Sequence, residues 1–431
     1  MSATDWRPIK PVNLHLAHSW GGGLGRWAQD FALADPYSQN LVLESFGAIE
    51  CYGVGLRLRR PEGGEILGSW VLSRPVSEMR SSDPEYATLL KHICREYGVA
   101  HLYVSSLIGL TLDVFRLGVP ATLIYHDYFT YCPALYLTRG GVCTSCTADD
   151  LVACSGRETG HRPKGTPGFY AGLRSDFFAA VAAAEVHHVC PSGSLITNLR
   201  RIDERFRDID FKVIEHGLSY AKRNCFGGAE ESRRLRVGLL GVLSWNKGSA
   251  AFGKLFETLR LIADFSLIGA HEPGLAFGER WSSSVLPRYE QAELPAVLER
   301  HRLDLTLFLS RVPETFSYTL SESWCFGIPP AARPIGAQGD RIVHGETGFL
   351  FELEDDSLVD FLLWADRERD ELRRVAARVA TLPVRTLEEA VQDYYSLRAD
   401  GYWLELEQTL GAALAGSGRA AEQALLPGPA R

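Results

Sequence analysis

Twice along this chain, short apolar runs alternate with segments of helical spacing, and few folds accept that pattern. In the first half, strand-like runs at 12–19, 40–44, 101–105, 121–125 and 186–190 are interleaved with helical patterns at 26–34, 86–97 and 167–184. A polar stretch at 222–234, rich in Gly, Glu and Arg, reads as a linker. The pattern then restarts with runs at 235–241, 264–269 and 303–310 and a helix at 292–301. Runs this short and apolar, punctuated by Gly and Pro, suit strands buried on both faces of a parallel sheet, and their alternation with helices gives βαβ units. At 431 residues the chain is too long for one ordinary core. The expected architecture is α/β, with two Rossmann-like domains at 1–215 and 216–386 and a terminal segment at 387–431.

Open sheets of this class bind ligands beyond the carboxyl ends of their strands. The residues that follow each run therefore carry the functional reading. After the run at 303–310 come Pro313 and Glu314, then a helical pattern at 316–326 that Gly327 and Pro329 stop. Thr315 or Ser317 is placed to cap that helix. Ser317, Tyr318 and Thr319 lie at its start, where free backbone N–H groups and the positive end of the helix dipole suit a phosphate. Glu314 and Glu322, eight residues apart, are acceptors for hydroxyl groups, as on a sugar and a ribose. The plainer reading makes them a loop carboxylate and a solvated helix carboxylate; in the functional reading Glu322 is a partly exposed helix carboxylate whose loss weakens nucleotide-sugar binding and leaves the fold intact.

Three further motifs stand at strand ends. The first run leads into Gly21-Gly22-Gly23-Leu24-Gly25. Glycines there let a backbone approach a ligand. The same residues fit a dinucleotide fingerprint, Gly23-x-Gly25-x-x-Ala28 with Glu44 on the next strand, and also a tight turn with no ligand. Gly241 to Gly248 follows the run at 235–241 and holds Lys247, a diphosphate cation or a solvated lysine. His126-Asp127 follows the run at 121–125; the imidazole would hydrogen-bond a reacting sugar, help an acceptor lose its proton, or only satisfy a strand end. Of His15 and His18, the second is nearer its strand's carboxyl end; His187 and His188 lie inside a strand and read as structural.

The segment around Glu314 and Glu322, with His344-Gly345-Glu346-Thr347-Gly348-Phe349-Leu350 beyond it, resembles the E-x7-E signature and closing turn of family 4 glycosyltransferases. These are retaining enzymes of the GT-B fold, two facing Rossmann-like domains. The resemblance implies transfer of a sugar from a nucleoside diphosphate donor to a hydroxyl of a glycan or lipid-linked acceptor, with no cofactor or metal required for catalysis. It implies a role in cell-surface polysaccharide or O-antigen assembly, with peripheral contact at the inner face of the membrane. It places Gly22 and Gly23 against the diphosphate, Lys247 on the leaving group, Glu314 on the donor sugar, Glu322 on the ribose and His126 at the reacting centre. Lys212 to Gly217 resembles the family's interdomain strand and turn, and the family's terminal helix crosses back to the first domain. The tail's Tyr394, Tyr395, Leu397, Tyr402, Trp403 and Leu406 have the spacing for such a helix, or for one packed on its own domain. Many members carry an arginine where this chain has Val242. Arg311 and Arg333 are candidates to replace it. Two rival readings are an NAD(P)-dependent oxidoreductase built on the glycine loop and Glu44, and a nucleotide-sugar binder without turnover.

Composition narrows the partners. The chain carries 53 acidic and 45 basic residues, a formal charge of −8, which argues against a nucleic-acid binder. No stretch of about 18 apolar residues and no apolar leader is present in the sequence, so a cytoplasmic location is expected, with the nine cysteines as thiols or metal ligands. Cys132, Cys143, Cys146 and Cys154 fall in an insert at about 132–168. They are expected to hold a structural zinc or to stay reduced and unliganded. The following loop, with Arg157, His161, Arg162 and Lys164, would meet a phosphate-bearing acceptor or remain solvated.

Overall fold

The computed structural model describes residues 10–48, 51–78, 81–155, 168–270 and 284–398. The basic loop, with Arg157, His161, Arg162 and Lys164, lies outside the described residues, as do Tyr402, Trp403 and Leu406.

The first domain is built on eight strands: β1 (Val12–His18), β2 (Gln39–Ala48), β3 (Cys51–Arg59), β4 (Ile66–Val71), β5 (Val99–Val104), β6 (Ala121–Ile124), β7 (Val186–Cys190) and β8 (Phe211–Val213). Their order is β4-β3-β2-β1-β5-β6-β7-β8. The second domain holds β9 (Leu235–Leu240), β10 (Ala263–Ile268), β11 (Ser284–Leu286), β12 (Leu305–Phe308), β13 (Pro330–Ala332) and β14 (Phe349–Leu350), in the order β11-β10-β9-β12-β13-β14. All pairs in the second sheet are parallel. This is the doubly wound order, in which the connections reverse direction between β9 and β12. In the first sheet the same reversal falls between β1 and β5. The central strands are buried on both faces, as their unbroken apolar runs require: Asn13 to Ala17 of β1 and all of β12 are buried.

Three expectations are corrected here. The first sheet is not wholly parallel, because β2, β3 and β4 form an antiparallel meander at one edge. Its glycines, Gly47, Gly53, Gly55 and Gly68, read in sequence as turn punctuation. The first helix begins at Gly22 and not near Arg26, so the glycine loop supplies its first turn. The stretch at 222–234 is no free linker: buried Asp304 accepts from Arg233 Nη1 at 2.6 Å and from the backbone N–H of Ala229 at 2.8 Å.

The terminal helix Leu387–Ser396 packs on the first domain. Tyr394 lies against Trp27 and Phe31, with ring centroids 5.4 Å and 5.2 Å apart. The Tyr395 hydroxyl donates to Asp35 Oδ2 at 2.8 Å and accepts from Asn13 Nδ2 at 3.1 Å.

Candidate functional site

The two reversal points face one cleft of about 480 Å³ between the domains. Gly22, Gly23 and His126 reach it from the first domain, and Lys247, Glu314, Ser317, Tyr318 and Thr319 from the second. Each is where the fold dictates, just beyond the carboxyl end of β1, β6, β9 or β12.

Two helix starts meet here. The first helix opens at Gly22, whose φ of 78° is left-handed and favours glycine. The helix Tyr318–Cys325 opens opposite it, after Ser317. Neither has a side-chain cap, so their first N–H groups stay available and both positive dipole ends point into the cleft. The expected caps serve other bonds: Thr315 Oγ1 donates to the His126 carbonyl at 2.8 Å, and Ser317 Oγ lies 3.3 Å from Thr319 Oγ1. Tyr128 Oη also donates to the Pro313 carbonyl at 3.1 Å, so residues 313–315 are tied to the first domain.

Lys247 Nζ lies 3.1 Å from Glu314 Oε1 and 3.2 Å from Oε2. It sits on the short turn Trp245–Lys247, fixed by Gly248, where an added Cβ would meet the Leu309 carbonyl oxygen at 2.4 Å. Lys247 is the only lysine or arginine lining the cleft among the described residues. Val242 lines it too, and neither proposed replacement does. Arg311 and Arg333 both bind Asp355, Arg333 at 2.7 Å and almost wholly buried.

His126 is packed between Trp27 and a histidine that sequence reasoning missed, His216, with centroids 5.2 Å and 4.9 Å away. His216 is 3% exposed, stacks on Tyr318 and lies 4.4 Å from Phe316. Burial, then neighbouring His18, lowers the His126 pKa to about 3; burial, then His126 and Arg341, holds His216 well below the ordinary imidazole value. Both rings are therefore neutral. His126 Nε2, His216 Nδ1 and Tyr318 Oη are buried atoms with no hydrogen-bond partner among the described residues. Native proteins seldom leave such atoms unsatisfied, and three in one cleft mark a place for a polar ligand. The signal for His216 was its place in the crossover turn, but only the fold brings it to His126. His18 does not line the cleft; its Nδ1 accepts from the Trp20 backbone N–H.

Glu322 departs from expectation. It is 2% exposed, it does not line the cleft, and its Oε1 accepts from Arg26 Nη1 of the first domain at 2.6 Å. The Arg26 guanidinium in turn lies 4.3 Å over the Tyr318 ring. The helix carboxylate expected to be partly exposed is thus the buried half of an interdomain ion pair whose other half, Arg26, is half-buried. Glu322→Ala would leave the half-buried Arg26 with Asp30, at 3.3 Å, as its remaining carboxylate partner, and we expect a loss of about 2 kcal/mol of stability, read by denaturant unfolding; wild-type stability would show the pair to be inert.

No group of three or more His, Cys, Asp or Glu side chains among the described residues converges to hold an ion. Cys132 is buried, which pushes its thiol up to about 12, and Cys146 Sγ accepts from Arg174 Nη2 at 3.4 Å. The insert nonetheless shapes the site: Leu135 and Tyr136 form a wall of the cleft, and Tyr136 lies 6.0 Å from Trp245 beside Lys247. Glu44 is also committed. It lies within β2 and accepts from Arg59 at 2.7 Å, which takes the acidic residue from the dinucleotide reading.

No protein-family model matches the sequence, and no curated protein matches it. Among solved structures, the chain is similar to Anabaena HepE in complex with UDP-glucose, at 14% identity and a TM-score of 0.57, over 90% of this chain and 100% of that one. It is similar to the catalytic domain of Arabidopsis thaliana starch synthase IV bound to ADP and acarbose, at 14% identity and a TM-score of 0.55, over 90% and 98%. It is similar also to sucrose-phosphate synthase from Thermosynechococcus elongatus, at 12% identity and a TM-score of 0.56, over 94% and 100%. At such identities the likeness establishes the fold, two Rossmann-like domains in the GT-B arrangement.

Proposed function

We propose that this protein is a retaining glycosyltransferase that moves a sugar from a nucleoside diphosphate donor to an acceptor hydroxyl. The observation that carries the reading is the meeting, in one interdomain cleft, of two uncapped helix starts, a single lysine and the unpartnered atoms of His126, His216 and Tyr318. The helix starts at Gly22 and Ser317 suit a diphosphate, and Lys247 supplies charge to the leaving group. A diphosphate would compete with Glu314 for Lys247, which would free the Glu314 carboxylate for a sugar hydroxyl. His126, with a pKa near 3, is too weak a base to take a proton at neutral pH, so its role is hydrogen bonding at the sugar–acceptor junction. Glu322 reaches a ribose only if Arg26 releases it.

Retention, the polysaccharide or O-antigen role and a glycan or lipid-linked acceptor rest on the E-x7-E resemblance. No described helix is long and apolar enough to cross a membrane, and any contact with the inner face would be peripheral. A zinc on the insert cysteines is not part of this reading.

The direct test is thermal unfolding with UDP-, GDP- and dTDP-sugars against NAD and NADP. A ligand at a hundred times its Kd stabilises the fold by about 2.7 kcal/mol. A shift with one nucleotide sugar and none with the nicotinamides supports the proposal; the reverse overturns it. Lys247→Ala should then lower donor hydrolysis or transfer by about 10²-fold with a smaller change in donor Kd, as expected of a group that acts on developing charge. Binding without turnover in the wild type would favour the silent binder.

A further inference from the structure

We propose that the second domain carries a separate anion site, a groove for phosphate groups on the side of the sheet opposite the cleft. The groove has a volume of about 550 Å³ and is lined by Arg234, Arg236, Arg260, Arg300 and His301. It lies at the amino ends of β9, β10 and β11, whereas the interdomain cleft lies beyond the carboxyl ends of the same parallel sheet.

Two of its arginines are braced. Arg234 pairs with Asp264 at 2.9 Å and donates to the Ala263 carbonyl at 3.1 Å; Arg260 pairs with Glu257 at 2.6 Å. The other two, Arg236 and Arg300, make no side-chain hydrogen bond or ion pair among the described residues. Among the described residues, four guanidinium groups therefore share two carboxylates, a local excess of positive charge in a chain whose formal charge is −8. Like charges in one groove repel, and an anion between them removes that cost. The planar fork of arginine matches two oxygens of a phosphate, and two open forks suit a ligand with two phosphate groups or neighbouring headgroups. His301 is held from the other side, its Nδ1 2.9 Å from Ser266 Oγ. Leu261, next to Arg260 in the chain, is 70% exposed, and an exposed leucine beside cations is the composition of a surface that meets anionic lipid. The shared chemistry is the phosphate ester, whether soluble or at a bilayer.

The test compares Arg236→Ala/Arg300→Ala with the parent protein. Neither residue holds a carboxylate, so the double variant should fold normally, and circular dichroism checks this. One arm measures flotation with vesicles of phosphatidylcholine containing about one-third phosphatidylglycerol, against phosphatidylcholine alone. The other titrates inorganic pyrophosphate by calorimetry, in a Lys247→Ala background that removes the cleft's cation. We expect the double variant to lose at least about tenfold in affinity for one probe, and the parent's binding to weaken with added salt. Loss on vesicles assigns the groove to headgroups; loss with pyrophosphate assigns it to a soluble phosphate. A parent protein that binds neither probe at low salt, or a double variant that binds both as the parent does, overturns the proposal.

Discussion

Acidification from pH 7 to pH 5 is expected to remove at least about 4 kcal/mol of stability, because several buried histidines, His15 and His101 among them, fold neutral. His15, His101 and His216 are almost wholly buried. Burial lowers the His15 pKa to about 4 against the upward pull of its Asn40 hydrogen bond, and burial, then Arg398, lowers His101 to about 2. Burial also holds His216 well below its ordinary value. The unfolded chain protonates all three near pH 6.5, and the folded protein does not. Their contribution is therefore complete above pH 6.5 and is lost as the pH falls toward the folded values. At pH 5 His15 and His101 account for about 2 kcal/mol each, a large part of the 5–15 kcal/mol that holds a typical domain together, and His216 and His126 act in the same direction. Urea unfolding at pH 7.5, 6.5 and 5 measures this directly. Equal midpoints across that range would mean that the three rings protonate in place.

His126→Ala is expected to cut sugar transfer by about 10²–10⁴-fold while leaving donor affinity nearly unchanged. The ring lies on the first-domain wall with Nε2 unpartnered, whereas the groups proposed to hold the diphosphate include Lys247 and the helix start after Ser317. With its pKa near 3, the imidazole is neutral through the working range, so the rate should show no inflection near pH 6.5 that belongs to this residue. Calorimetry follows donor binding, and slow donor hydrolysis stands in for transfer until an acceptor is known. Transfer at the wild-type rate would reduce His126 to part of the wall, with the fold and the donor cleft unaffected.

The sequence made legible what depends on local pattern. Short apolar runs at Leu14, Leu239 and Leu307 located the central strands, and strand ends located Gly22, His126, Lys247 and Glu314. What stayed hidden depends on partners far apart in the chain. Glu322 looked like a solvated helix carboxylate because its partner, Arg26, lies 296 residues away. Arg311 and Arg333 looked free because Asp355, which binds both, lies beyond another strand. The edge meander was missed because close packing of its strands uses glycine, and glycine reads as a break.

The terminal helix has a consequence for how the two halves can move. Because the chain returns to the first domain after residue 385, the second domain is joined to it by two covalent strands. Those strands run side by side: Leu218 N–H donates to the Arg385 carbonyl at 2.9 Å, Arg385 Nε donates to the Glu215 carbonyl at 2.8 Å, and Leu218 bridges to Thr386. Topologically, the second domain is a guest inserted into its host. A paired double crossing resists sliding and twisting more than a single tether does, and leaves bending about the pair as the softest motion. One proteolytic nick in either crossing would leave the halves connected through the other, so only a double cut would release the guest.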